Sequence, residues 1–236
     1  MVDIFAALEN RGLPIDAAAR ARLGRYIELL LAWNERMNLT AITEPEAIWV
    51  KHIYDSLTVF LSPHDPSPRS VIDVGTGAGF PGLPMKIVRP ELSLVLLDAR
   101  EKRLRFLEAV VADLGLQDVR LVHGRAEVLG RDPAYRDRFD LAVARAVAPL
   151  SVLAELFLPF VRPGGLAVAW KGERGREELA GAGRAITALG AEVAAVEPLA
   201  LPGAYGSRVL LWFRKVHPTP ERYPRRPGEP ERRPLR

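Results

Sequence analysis

At 236 residues, with 48% hydrophobic and 26% charged side chains, the chain has the size and composition of one large globular domain, or one domain with an extension. It has no cysteine, which excludes a disulfide framework, a thiolate metal site and a cysteine nucleophile. The formal charge of +4 is unevenly spread: residues 1–60 hold six Lys/Arg and eight Asp/Glu, whereas residues 216–236 hold six Arg and three Glu.

Helical spacing opens the chain, at Asp3–Glu9 and then at Ala17–Met37, where Leu23, Ile27, Leu30 and Leu31 share a face and Asp16 stands at the N-cap position. A third helix is expected from Glu44 towards Tyr54, and a fourth from Asp55 to Phe60. Ser62-Pro-His-Asp-Pro-Ser-Pro-Arg69 is rich in breakers and reads as a linker. Beyond it short apolar runs at Ser70–Val74, Ser93–Leu97, Val119–Val122, Phe139–Ala144 and Gly165–Trp170 alternate with helix-like stretches at Leu83–Val88, Glu101–Leu114, a short piece after Gly124, and Leu150–Phe160. That alternation predicts βαβ units and a parallel sheet covered on both faces. A helix at Arg176–Leu189 leads to two further strands, Glu192–Glu197 and Arg208–Arg214, around a loop holding Pro202, Gly203 and Gly206. The expected fold is α/β: a mostly parallel Rossmann-like sheet ending in an antiparallel hairpin, with a helical N-terminal extension. The divisions are residues 1–62 for the extension, 63–215 for the sheet domain and 216–236 for a basic, Pro-rich tail. That tail reads either as a solvated end or as a polyanion contact. The longest apolar candidate, Leu92–Leu97, is strand-sized, and the first residues lack a signal-peptide pattern, so a cytoplasmic protein off the membrane is expected.

The first strand runs into Asp73-Val-Gly75-Thr-Gly77-Ala-Gly79-Phe80-Pro-Gly82. Glycines let a chain turn sharply and let a ligand approach the backbone. At the carboxyl edge of an open α/β sheet this turn borders the binding crevice. Gly77 to Gly82 also satisfies G-x-G-x-x-G, the weaker dinucleotide reading. Asp73 with glycines two, four and six residues later resembles motif I of Rossmann-like methyltransferases. In that motif the acid serves the amino group of S-adenosyl-L-methionine. Asp98 closes the second strand and is placed for the ribose hydroxyls, or else for capping the next helix. Gly124-Arg-Ala126-Glu127 follows the third strand, where Ala126 would border adenine or simply start a helix. Arg145, at the end of an apolar fourth strand, points to the crevice, and Lys171 at the end of the fifth has the same logic. His52 and Asp55 share a helical face and are open to pairing with each other.

Several separated segments together resemble the small-subunit rRNA guanine-N7 methyltransferase G family, also called glucose-inhibited division protein B. They are Trp33-Asn-Glu-Arg-Met-Asn-Leu-Thr40, His52-Ile-Tyr-Asp-Ser-Leu57, Asp73–Gly82, Ala144-Arg-Ala146, Lys171-Gly172, Tyr223-Pro-Arg-Arg-Pro-Gly-Glu-Pro230 and Pro234-Leu235. The resemblance spans most of the chain. It implies methylation at N7 of a guanine in the 530-loop region of 16S rRNA, with the RNA or the small ribosomal subunit as partner. It also implies that Gly75, Phe80, Ala126, Glu127 and Arg145 contact or border S-adenosylmethionine. The cofactor set is then Asp73, Gly75, Gly77, Gly79, Phe80, Asp98, Ala126, Glu127 and Arg145, and the candidate catalytic residues are Arg145 and Lys171. Guanine N7 already carries a free lone pair. Neither a general base nor a metal is therefore expected, and a monomer suffices. The rival readings are a methyltransferase for a small molecule or protein, and a non-catalytic, ribosome-associated cofactor-binding module.

Overall fold

The computed structural model describes residues 2–65 and 67–235. Helix α1, Ile4–Glu9, opens on the Asp3 carboxylate, which accepts the amides of Phe5 and Ala6 at 3.0 Å. Helix α2, Ala17–Met37, opens on Asp16, which accepts the amide of Ala19 at 2.7 Å. It stops at Asn38, which turns left-handed at φ 48°. The next segment differs from the two helices expected. Pro45–Ile48 (α3), a π-helical stretch Trp49–Tyr54, Asp55–Leu57 (α4) and a 3₁₀ turn Thr58–Leu61 follow one another without a break. π-Helical turns are uncommon and tend to occur at functional sites; this one carries Lys51 and His52.

The sheet follows. Its strands are β1 Ser70–Val74, β2 Ser93–Asp98, β3 Val119–His123, β4 Phe139–Arg145, β5 Val161–Lys171, β6 Ala191–Ala200 and β7 Ser207–Lys215. The helices between and after them are α5 Gly82–Val88, α6 Glu101–Asp113, α7 Ala126–Leu129, α8 Leu150–Phe157, α9 Gly175–Ala188 and α10 Glu229–Arg232. The strand order is β3-β2-β1-β4-β5-β7-β6. The first five strands are parallel, and β7 runs antiparallel between β5 and β6. The chain moves one way from β1 to β2 and β3, then returns to place β4 on the other side. That reversal opens a crevice at the carboxyl ends of β1 and β4.

Alternation along each strand feeds two cores. Val71 of β1 and Trp212 of β7 face one side, with Leu23, Tyr26, Ile53, Leu83 and Phe106. Ile72 and Phe213 face the other, with Leu153, Phe157, Phe160 and Ile186. Helices α1 and α2 and the rod of residues 45–61 therefore complete the core on one face of the sheet, and α8 and α9 cover the other.

The C-terminal segment is packed, not solvated. Tyr223 is buried in the second core. Arg136 Nη1 donates to Tyr223 O at 2.8 Å and Arg131 Nε to Pro224 O at 2.6 Å. Arg225 grips Glu155 of α8, with Nη2–Oε2 at 2.6 Å and Nε–Oε1 at 3.0 Å. Glu155 is fully buried. Arg225→Ala would leave that buried carboxylate with the residue 225 amide but no counter-charge, a loss of about 3 kcal/mol. The expected result is a melting temperature lower by roughly 10 °C, read by calorimetry. An unchanged transition would show that the segment is not anchored through this pair.

Candidate active site

Strand β1 delivers Asp73 and then the glycine turn. Gly75, Gly77 and Gly79 all take left-handed φ values, +73°, +63° and +97°, which disfavour a side chain. The glycines have different neighbours. A Cβ on Gly79 would meet Leu83 at 2.6 Å and the Tyr26 hydroxyl at 2.7 Å; one on Gly82 would meet Leu96 at 2.8 Å and Asp73 Oδ2 at 2.9 Å. Close packing of α5 and α2 demands the first, and close packing of α5 on β1 and β2 the second. A Cβ on Gly77 would meet nothing nearer than 3.9 Å, so its requirement is conformational. The Tyr26 hydroxyl donates to Ala78 O and pins the turn from the α2 side.

Asp73 is fully buried. Its Oδ2 accepts from the Thr76 hydroxyl at 2.7 Å and the Gly82 amide at 2.9 Å. Its Oδ1 has no hydrogen-bond partner among the described residues. Burial pushes this carboxyl up to about 6, against the pull of those two donors. A buried, unsatisfied acceptor is costly and calls for a ligand or a water.

A cavity of about 160 Å³ opens at the ends of β1, β2 and β3, lined by Gly75, Asp98, Ala126, Glu127, Val147 and Glu231 among others. Asp98 Oδ2 accepts from the Gly77 amide at 2.9 Å and from Arg103 Nη1 at 3.1 Å, while Oδ1 accepts from the Arg100 amide at 2.8 Å. The N-cap of α6 is Arg100, so Asp98 stands ahead of the helix and ties it to the glycine turn. Ala126 begins α7. Glu127, nearly buried, accepts the Gly228 amide at 3.0 Å. That bond holds the C-terminal segment beside the cavity, where it contributes Glu231.

A second cavity, of about 380 Å³, lies at the ends of β4 and β5 under the rod of residues 45–61. Lys51, His52, Asp55, Arg145, Lys171 and Arg208 line it. Arg145 Nη1 and Arg208 Nε each reach Asp55 Oδ2 at 3.1 Å. Arg145 also donates to Lys51 O at 3.1 Å, and its guanidinium stands 5.2 Å from the centre of the Phe80 ring. Lys171 Nζ donates to Ala148 O and to Glu178 Oε2, both at 2.7 Å. His52 stacks on Phe80 at 4.5 Å. Burial and then Arg145 lower its pKa to about 3, so its ring is neutral. His52 does not pair with Asp55 as their spacing allowed: its Nε2 meets the Thr40 hydroxyl at 2.9 Å, and its Nδ1 lies 3.4 Å from Arg145 Nη2.

The structure thus divides the residues singled out from sequence. Gly75, Asp98, Ala126 and Glu127 line the first cavity, and Arg145 and Lys171 line the second. Asp73, Gly77, Gly79 and Phe80 line neither. Asp73, on β1, and Gly77, in the turn, flank Gly75 of the first cavity in sequence, whereas Phe80 supports His52 and Arg145. Arg145 lines the second cavity and also stands over the Phe80 ring of the glycine turn, and its charge acts on the buried Asp73. Sequence reasoning did not find Arg208, Glu231 or Val147. Arg208 sits at the start of an ordinary strand pattern, and Glu231 arrives through the fold of a segment that read as a tail.

Among the described residues no helix is long and apolar enough to cross a membrane, and no group of acidic or histidine side chains is placed to hold a metal. The structure is similar to a ribosomal protein L11 methylase from Lactobacillus delbrueckii subsp. bulgaricus, with a TM-score of 0.51 and 18% identity over 71% of this chain and 79% of that one. It also resembles the antibiotic-resistance methyltransferase Kmr, with a TM-score of 0.51 and 20% identity over 63% and 87%. Both show the fold. The chain is 45% identical to the ribosomal RNA small subunit methyltransferase G of Geobacillus kaustophilus over 97% of its length and 96% of the relative's. It is 48% identical to that of Moorella thermoacetica over 98% and 97%. The sequence profile of the GidB family, rRNA small subunit methyltransferase G, matches residues 19–202. With that match and these identities along nearly its whole length, the chain belongs to the rRNA small subunit methyltransferase G family.

Proposed function

We propose that this S-adenosylmethionine-dependent rRNA methyltransferase acts on N7 of a guanine in 16S rRNA, in the 530-loop region, with the purine held in the cavity at the ends of β4 and β5. The observation that supports this reading most is the lining of that cavity. Lys51, Arg145, Lys171 and Arg208 stand there against Asp55 and Glu178. The Hoogsteen edge of guanine presents two acceptors, O6 and N7. A cation at N7 would block the attacking lone pair, so Arg145 or Lys171 serves O6 and leaves N7 free. His52 stays neutral and has no proton to take from N7.

Asp73, Gly75, Asp98, Ala126 and Glu127 are the residues that would hold the cofactor. S-adenosylmethionine supplies an activated methyl group on a sulfonium. The task of the protein is to hold the purine in line and exclude water, a positional contribution that can be large. The base must stand unstacked to enter. Replacing the acceptor guanosine by 7-deazaguanosine is expected to abolish transfer; undiminished transfer would refute N7 as the acceptor.

The raised Asp73 carboxyl gives a further expectation. Its uncharged form dominates below about pH 6, and only the carboxylate attracts an ammonium. Cofactor affinity should therefore be constant above about pH 7 and fall roughly tenfold per unit below 6. Calorimetry across pH 5–8 reads this directly, and a flat profile would remove Asp73 from ammonium binding.

A further inference from the structure

Two buried side-chain atoms among the described residues lack a hydrogen-bond partner, Asp73 Oδ1 and Asp55 Oδ1. The first belongs to the cofactor side. The second has no such account. Asp55 is 1% exposed and lines the cavity proposed for the base. Its Oδ2 is occupied by Arg145 and Arg208. Buried polar atoms are almost always satisfied, and an exception calls for a ligand, a water or strain. Glu178, the other acid lining the cavity, holds Lys171 Nζ and the Leu150 amide with its Oε2, and its side chain is one-third exposed, so water satisfies its other oxygen. Asp55 is the buried acid with an unsatisfied oxygen.

Guanine carries donors, N1–H and the 2-amino group, on the edge remote from N7. Adenine presents a lone pair at N1 and has no 2-amino group. A carboxylate held between two guanidinium groups accepts from the first base and repels the second. A site with a buried polar group discriminates strongly against an analogue that leaves it unpaired. The same placement serves the reaction. Methylation at N7 brings positive charge onto the purine, and a carboxylate beside N1–H stabilises the charge as it develops.

We propose that Asp55 is a specificity-determining residue that accepts hydrogen bonds from the guanine N1–H and 2-amino group. This rests on the assignment of the second cavity to the base. The test uses the intact enzyme with S-adenosylmethionine and small-subunit RNA carrying either guanosine or inosine at the acceptor position. Inosine keeps N1–H, O6 and N7 and lacks only the 2-amino group. Wild-type enzyme is expected to methylate inosine at least tenfold more slowly in single turnover. Asp55→Asn is expected to be slower on both and to bring the ratio close to one. Should the amide variant fail to fold, Asp55→Glu, which keeps the charge and displaces the oxygen, is expected to narrow the ratio likewise. Equal wild-type rates on the two RNAs, or a variant that keeps the tenfold preference, would overturn the proposal. Either of those results with methylation still at N7 leaves the assignment of the reaction intact; methylation elsewhere than guanine N7 overturns both.

Discussion

Asp73→Ala is expected to weaken S-adenosylmethionine binding by at least two orders of magnitude. The carboxylate does two things at once. Its Oδ2 holds Thr76 and the first amide of α5, at 2.7 and 2.9 Å, so it fastens both ends of the glycine turn. Its Oδ1 is a buried acceptor with no hydrogen-bond partner among the described residues, the oxygen proposed for the cofactor's ammonium group. Truncation removes the charged acceptor proposed for the ammonium group, and a hydrogen bond to a charged group is worth up to about 3 kcal/mol. About 3 kcal/mol corresponds to a little over a hundredfold in affinity. The folded protein itself should suffer less, because burial of this carboxylate is costly, as its raised pKa of about 6 shows. Calorimetric titration is the check, and unchanged affinity would refute the role.

Arg145→Ala is expected to lower turnover by about two to three orders of magnitude with cofactor affinity nearly unchanged, in the range found when an oriented donor is removed from an active site. Arg145 makes its contacts in the second cavity, with Asp55 and the carbonyl of Lys51. Loss of the guanidinium leaves Asp55 with Arg208 alone and unseats the Phe80–His52 stack beneath it. Rate and cofactor affinity separate the alternatives. A normal rate removes Arg145 from the site. A fall in cofactor affinity equal to the fall in rate returns it to the cofactor crevice. Arg145→Lys should rescue little, because a point charge cannot hold Asp55 and two carbonyl-side contacts together.

Much of the fold was legible because its signals are local. Helix α2 has the bounds that its apolar spacing predicts, with Asp16 and Asn38 as its ends. The continuous apolar runs became the buried parallel strands, mostly one residue longer than expected. Less local features were not legible. The rod of residues 45–61 joins expected helices through π and 3₁₀ turns, which no spacing rule announces. The C-terminal segment looked like a charged tail because its composition is basic and Pro-rich. What holds it is distant: Glu155, Arg131 and Arg136 all lie far back along the chain.

The site shows the same division. The glycine turn and the acids at the ends of β1 and β2 were placed by motif and strand register. Arg145 was placed at the right strand end, where it lines the second cavity. β4 lies between β1 and β5, so its end borders both cavities, and only the turn at Ala146 and the pairing with Asp55, ninety positions earlier, decide which one it enters. Asp55 was flagged within a shared segment, but its partners Arg145 and Arg208 come from strands on either side of β5. Such a cluster is a property of topology.

The central claim is tested most directly by transfer of labelled methyl from S-adenosylmethionine to unmethylated small-subunit particles, followed by nucleoside analysis of the RNA. The account predicts label in N7-methylguanosine alone. Label in another nucleoside, or none in RNA while cofactor binding is intact, would contradict it.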